Sequence, residues 1–454
     1  MRKSNKICVA GAIACLAPVA FAVPVVSDVT MNQSLPDRTV MITYRLSEVP
    51  AVVTLDIETN APGGAWVSIG GENVQFVSGA VNRKVTLADK GANDLYTIKW
   101  RADDSWPNHV IADNGARAKV TAWALDNTPD YMVVDVSASA AHGSERYYTS
   151  TNFLPGGVMN PLYRTSSVLM RKILAKGVVW NMGTRTEIQR ITDGREDMHE
   201  VELTNNYYIG VFEVTQSQWA NIQTARPQPS YFLYSGDKSM RPVERVCYNE
   251  IRCAANSDSK AADYQEWPAA PYEGSFLDLL RDKTGIDFDL PSDAEWEYAC
   301  RAGHGEGHWA DGSDITAGSN DPNYALLGRN GVSAINTLGN PNVAANVADT
   351  VTGATNGTAV CGSYQPNSWG LYDTHGNVQE WVLDWFSTNA AVLANLRGAV
   401  NTNGSENGNG HVIRSGAWYN VWTQNDRPSR RHSYADNRRN HDIGFRLACR
   451  NGLK

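Results

Sequence analysis

Beyond its first two dozen residues the chain lacks any run approaching the roughly twenty apolar residues that a helical membrane span requires. It also lacks a basic stretch: 40 Lys+Arg stand against 48 Asp+Glu, a net charge of -8. That balance argues against a nucleic-acid partner, whose binding needs a positive surface that releases counterions. Cysteine is sparse and uneven. None lies between Cys15 and Cys247, so any fold in that interval is held by packing alone. Cys247, Cys253, Cys300, Cys361 and Cys449 follow, an odd number, so at least one thiol stays unpaired or finds an outside partner. Long periodic helical stretches are scarce. In their place stand 38 Gly and 14 Trp, which suits a loop-rich chain whose irregular core is filled by large rings.

What the N-terminus does have is an export pattern. Arg2, Lys3 and Lys6 precede an uncharged run, residues 7–18, and then Ala20-Phe21-Ala22, a signal-peptidase signature with cleavage near Ala22. Ala12-Ile13-Ala14-Cys15 leaves a second reading open, a lipoprotein box with Cys15 carrying the lipid. The expectation is a mature protein that is periplasmic, on the cell surface or secreted.

Residues 23–139 show short period-two runs, among them 40–44, 51–59, 96–100, 118–125 and 131–136, separated by Gly, Asn, Asp and Pro clusters. About seven strands at this spacing predict an all-β sandwich of immunoglobulin-like architecture. Trp100, Trp106 and Trp123 either fill its core or line a ligand groove. Residues 140–164 turn small and polar and read as a linker. A second domain, 165–454, follows.

In that domain Thr215 and Gln218 form a capping box that opens a short helix turning Trp219 and Ile222 inward. Residues 275–285 predict another, with Phe276, Leu277 and Leu280 on one face and Gly285 as its stop. The run 290–303 is the most legible helix: Ser292 caps it, Glu295 completes the box and Gly303 closes it. Its acids, Glu295 and Glu297, are therefore capping groups before they are catalysts. Residues 304–366 show little periodicity and are costly to order without help. Just beyond, Asp373 and Glu380 bracket the turn His375-Gly376-Asn377, where Gly376 lets the backbone aim carbonyls inward. Two carboxylates plus inward carbonyls form the all-oxygen cage that Ca²⁺ prefers. The bland alternative is a surface turn with solvated acids.

Five blocks now stand in order: Phe212-Glu213-Val214-Thr215, residues 290–303, residues 370–381, residues 412–420 and Ile443-Gly444-Phe445-Arg446. Together they resemble the formylglycine-generating, or sulfatase-modifying-factor, family over about residues 165–450. The resemblance implies a compact, irregular α+β fold distantly related to C-type lectin domains. It also implies an activity, oxidation of a sulfatase cysteine to Cα-formylglycine by oxygen and a Cu(I) ion held on two cysteines. Those two positions are Asn420 and Asn425 here, and no cysteine lies between Cys361 and Cys449 to replace them. Amides are poor Cu(I) ligands, so copper is not expected and the oxidase chemistry is expected to be absent. Ala417 and Gln379 also replace the family's usual serine and tryptophan.

The family's calcium cage carries over onto Asp373, the carbonyls of Gly376 and Val378, and Glu380. A second calcium site would begin at Asn323 and the Tyr324 carbonyl. The resemblance further implies a disulfide from Cys300 to Cys449, and a former active-site groove lined by Trp418, Tyr419, Asn420, Asn425 and Arg431. The expectation is an exported, non-catalytic member binding a peptide or glycan in that groove, with calcium as structural ion. The alternative is a formylglycine-generating oxidoreductase, or an unknown activity in the same groove.

Overall fold

Strict alternation builds the first layer. Along Tyr96–Arg101 the side chains of Tyr96, Ile98 and Trp100 are buried and those between them exposed, as a strand with one wet face requires. In this computed structural model, which describes residues 23–111, 115–185, 191–233, 239–253, 270–305, 358–364, 366–389, 410–418 and 427–450, that strand lies between Thr39–Leu46 and Val77–Gly79. Val26–Gln33 forms the far edge of the same sheet. A facing sheet centres on Ala51–Asn60, which pairs with Trp66–Ser68, Arg83–Val85 and Ala116–Trp123. Val40, Ile42, Tyr44, Ile98 and Trp100 meet Val53, Leu55 and Ile57 in one core. Trp100 is fully buried there, and Trp106 stacks on it at 6.3 Å, so both rings serve packing. Trp123 donates Nε1–H to Thr54 Oγ1 at 2.9 Å. Burying a ring of this size contributes up to about 3 kcal/mol, which a sandwich without a disulfide needs.

Strand pairing links the segments on either side of residues 139–164. Tyr131–Asp135 leaves the sandwich and pairs antiparallel with Ser167–Ile173 and Arg146–Tyr148, in a sheet completed by Tyr207–Gly210 and Ala448–Cys449. Residues 140–164 contribute Tyr147, Leu154 and Tyr163 to buried clusters with residues of the second domain. Alternation marks a strand but carries no information on which sheet receives it.

Two further strand groups complete the second domain. Val178–Met182 and His199–Leu203 form a hairpin-like pair, and Gln379–Trp385 sits between His411–Arg414, antiparallel, and Ile443–Gly444, parallel. Among the described residues, four helices pack on these sheets. Gln216–Ile222 carries the Thr215–Gln218 box, Phe276–Thr284 is capped by Ser275 and stopped by left-handed Gly285, and Asp293–Cys300 carries the Ser292–Glu295 box. Tyr248–Arg252 is the fourth. Trp219 stacks on Phe276 at 4.9 Å, and Phe445 meets both edge-on, closing the largest core cluster.

The implied Cys300–Cys449 bridge is absent; both residues are buried thiols. Cys449 pairs opposite Tyr208 in the five-stranded sheet, whereas Cys300 ends its helix in a separate cluster with Trp296, Val382, Phe386 and Val412. Cys300 Sγ lies 3.5 Å from Thr374 O and from His375 Nε2. Residues 1–22, where the export pattern is read, and most of 304–366 lie outside the described residues. Among the described residues no helix is long and apolar enough to cross a membrane.

Candidate functional site

The turn that leads into Gln379–Trp385 is built from unusual backbone. Asp373 and Asn377 have φ of 55° and 64°, Gly376 has 110°, and Ser415 opposite has 65°. Asp and Asn tolerate the left-handed region; Gly376 is needed at its own angle, and three such residues in one turn with a fourth facing it concentrate strain there. Side chains hold the turn in place. Ser415 Oγ accepts the Gly376 N–H at 2.7 Å, and Asn377 Oδ1 accepts the Ala359 N–H at 2.8 Å. Asn377 O accepts the Trp418 N–H at 2.9 Å, which ties the turn to the Ser415–Trp418 block.

The two carboxylates that the sequence brackets are both fully buried, but they do different things. Glu380 is closed by Arg446, whose Nε donates to Oε2 at 2.7 Å and Nη2 to Oε1 at 2.6 Å. Trp296 Nε1–H adds a third bond to Oε2 at 2.7 Å. With both lone pairs of Oε2 filled and a guanidinium against it, Glu380 does not fit a cation ligand. Asp373 does fit one. Its Oδ2 accepts the Gly362 N–H at 2.6 Å, and its Oδ1 is buried with no hydrogen-bond partner.

Beside Asp373 lie two groups that the sequence reading did not place at the site, Glu213 and Cys361. Glu213 accepts the Val378 N–H at 3.2 Å and the Asn377 side-chain amide at 2.7 Å, and the Cys361 thiol donates to its Oε2 at 3.4 Å. One donor atom each from Glu213, Cys361 and Asp373 falls within 4.8 Å of the others. Burial pushes the Asp373 carboxyl up to about 7, against the lowering pull of the Gly362 N–H and Arg446. Burial first, then the charges of Asp373 and Glu380, raises Glu213 well above the ordinary range, and burial does the same to the Cys361 thiol. The signal for Glu213 was legible in one respect: it is the lone charge in the apolar run 207–214.

The helix Asp293–Cys300 carries a second set of buried charges, and here each carboxylate has a guanidinium partner. Asp293 is gripped by Arg414 and by Arg431, whose Nε donates to Oδ2 at 2.7 Å; Glu297 pairs with Arg301 at 2.9 Å and Arg414 at 3.0 Å. Although burial opposes it, the two guanidinium groups hold Asp293 below the usual carboxylate range. Glu295 both completes its cap and pairs with Arg450. Arg431, expected to line a groove, is only 1% exposed and is spent on Asp293 and on the carbonyls of Arg195 and Ser387.

Of the other groove residues, Trp418 is half-buried, donates Nε1–H to His441 O at 3.0 Å and meets Phe232 edge-on at 5.2 Å. Tyr231 packs against Phe232 and His441 and is 65% exposed. The result is a ledge in which exposed Tyr231 and half-buried Trp418 and His441 pack over buried Phe232. Tyr419, Asn420, Asn425, Asn323 and Tyr324 lie outside the described residues.

Residues 170–451 match the model of the sulfatase-modifying factor enzyme 1-like domain. Among known proteins, the formylglycine-generating enzyme of Streptomyces coelicolor is 30% identical over 161 residues, 35% of this chain and 46% of its own. The chaperone protein LppX of Paenibacillus barcinonensis is 27% identical over 40% of this chain and 64% of its own, and the formylglycine-generating enzyme of Bos taurus is 26% identical over 62% and 73%. The match thus spans less than two thirds of LppX and under half of the Streptomyces enzyme. The solved structure of PvdO from Pseudomonas aeruginosa aligns with a TM-score of 0.44 at 22% identity, over 62% of this chain and 94% of its own. On the domain match across residues 170–451, the chain belongs to the sulfatase-modifying factor, or formylglycine-generating enzyme, family.

Proposed function

We propose that this chain is an exported, non-catalytic member of its family that binds a peptide or glycan at the ring ledge of Tyr231, Phe232, Trp418 and His441. The ledge carries the reading: an exposed Tyr231 ring backed by three others suits sugar faces or apolar peptide side chains. The sequence supports the non-catalytic part, because Asn420 and Asn425 stand where the family pattern has the copper thiolates. A structural divalent cation beside Asp373 completes the reading, with calcium the ion that the family resemblance implies.

The relatives named formylglycine-generating enzyme favour a second reading, a retained oxidase. Copper-dependent oxygen consumption with a cysteine-containing peptide separates the two. Turnover by the purified chain would overturn the non-catalytic reading. Glycan-array and peptide-array binding that is lost in Tyr231→Ala supports it, and arrays without a Tyr231-dependent signal would sink the ledge.

A further inference from the structure

Asp373, Glu213 and Cys361 form, among the described residues, a group of three fully buried donors within 4.8 Å of one another. One feature of this group points to an ion and two more are compatible with it. Asp373 Oδ1 is buried with no hydrogen-bond partner, an arrangement that native interiors avoid unless something fills it. Cys361 Sγ and Glu213 Oε2 stand 3.4 Å apart, matching the separation of about 3.5 Å that a tetrahedral ion imposes on one sulfur and one oxygen donor. Charge is the third feature. Glu213, Asp373 and Glu380 are three buried carboxyls, Arg446 bonds to Glu380, and Arg164 donates to the carbonyls of Cys361 and Met159. With Cys361 as thiolate, those two arginines and one divalent ion leave the cluster neutral, which a buried site requires.

We propose that Glu213, Asp373 and Cys361 hold a thiophilic divalent ion of the Zn²⁺ class, in place of an all-oxygen calcium cage built on Asp373 and Glu380. This deepens the structural-cation part of the reading above and rests on it. The ion replaces the proton that now bridges Cys361 and Glu213; binding releases that proton and any carried by the two carboxyls, and no electron moves. A water supplies the fourth position. A thiolate donor selects against Ca²⁺, which takes oxygen ligands, and favours Zn²⁺ or Co²⁺. Cysteine at 361 is therefore the residue that sets the ion's identity.

The test is metal analysis of the full chain, produced in medium holding both Zn²⁺ and Ca²⁺, and again with Co²⁺ in place of Zn²⁺. The expected result is about one Zn²⁺ or Co²⁺ per chain, a thiolate-to-cobalt charge-transfer absorption, and loss of both by at least tenfold in Cys361→Val but not in Cys247→Val. Should Cys361→Val fail to fold, the cobalt absorption of the unsubstituted chain, compared between Cys247→Val and Asp373→Asn, carries the decision. Calcium alone, retained in Cys361→Val, would overturn the thiolate centre and leave the structural-cation reading standing. Neither ion above trace would overturn both.

Discussion

Arg446 and Glu380 form a closed fork inside the second domain, two parallel N–H···O bonds of 2.7 and 2.6 Å between side chains that are 1% and 0% exposed. The strand register makes it, because Glu380 lies directly opposite Gly444, two residues before Arg446. Removing one partner leaves the other charge buried and uncompensated. Arg446→Met is expected to lower the unfolding free energy by roughly 3–5 kcal/mol in urea titration, with Glu380→Leu/Arg446→Met recovering part of it. A single-variant loss below about 1 kcal/mol would mean the pair is not desolvated.

Glu244 predicts the direction of a pH dependence. Its Oε1 accepts the Phe232 N–H at 2.9 Å beneath the ring ledge, its Oε2 is buried without a partner, and burial pushes its carboxyl up to about 7. The folded chain thus holds a proton that the unfolded chain releases near pH 4.5. Its contribution is fully present below that value and is lost as pH rises through about 7, a decline of roughly 3 kcal/mol across the window. Thermal midpoints measured from pH 5 to 8 should fall for the wild-type chain and less steeply for Glu244→Gln, which is neutral at 244 while Asp373 titrates in both proteins. Parallel slopes for the two proteins would refute the assignment.

Tyr231 and Trp418 should separate binding from packing. Tyr231 is 65% exposed, so Tyr231→Ala is expected to change stability by no more than about 0.5 kcal/mol while abolishing ledge binding. Trp418 is held by Phe232 and His441, and Trp418→Ala should lower stability by about 2 kcal/mol as well. Chemical denaturation of both variants beside array binding checks the split; equal stability losses would place Tyr231 in the packed interior.

Cys300 and Cys449 are expected to remain thiols in native protein. Adding reductant should leave the thermal midpoint unchanged, and mass mapping after alkylation of the unfolded, unreduced chain should find both residues labelled. A Cys300–Cys449 cross-linked peptide is the contrary outcome.

Features governed by neighbours in sequence were legible without the fold. The Ser292–Glu295 and Thr215–Gln218 boxes, the Gly285 stop and the alternation of 96–101 all form as read, because each depends on contacts a few residues apart. Misreadings came where a residue's partner lies far along the chain. Tyr131–Asp135 reads as a strand whichever sheet receives it, and the pairing with Ser167–Ile173 is fixed by packing of the second domain. Arg431 has the chemistry of a groove residue, yet Asp293, 138 positions away, takes it into the interior.

By itself, the sequence determined the strands, the capped helices, the family blocks and the absence of thiols at positions 420 and 425, since these follow from local pattern and residue type. Only the tertiary structure decided what Asp373 faces. Glu380, seven residues away, turns to Arg446, while Cys361 from the preceding loop and Glu213 from 160 residues upstream sit beside it. The physical reason is that a buried carboxylate's partner is chosen by charge balance and packing in three dimensions, and neither is written in spacing along the chain.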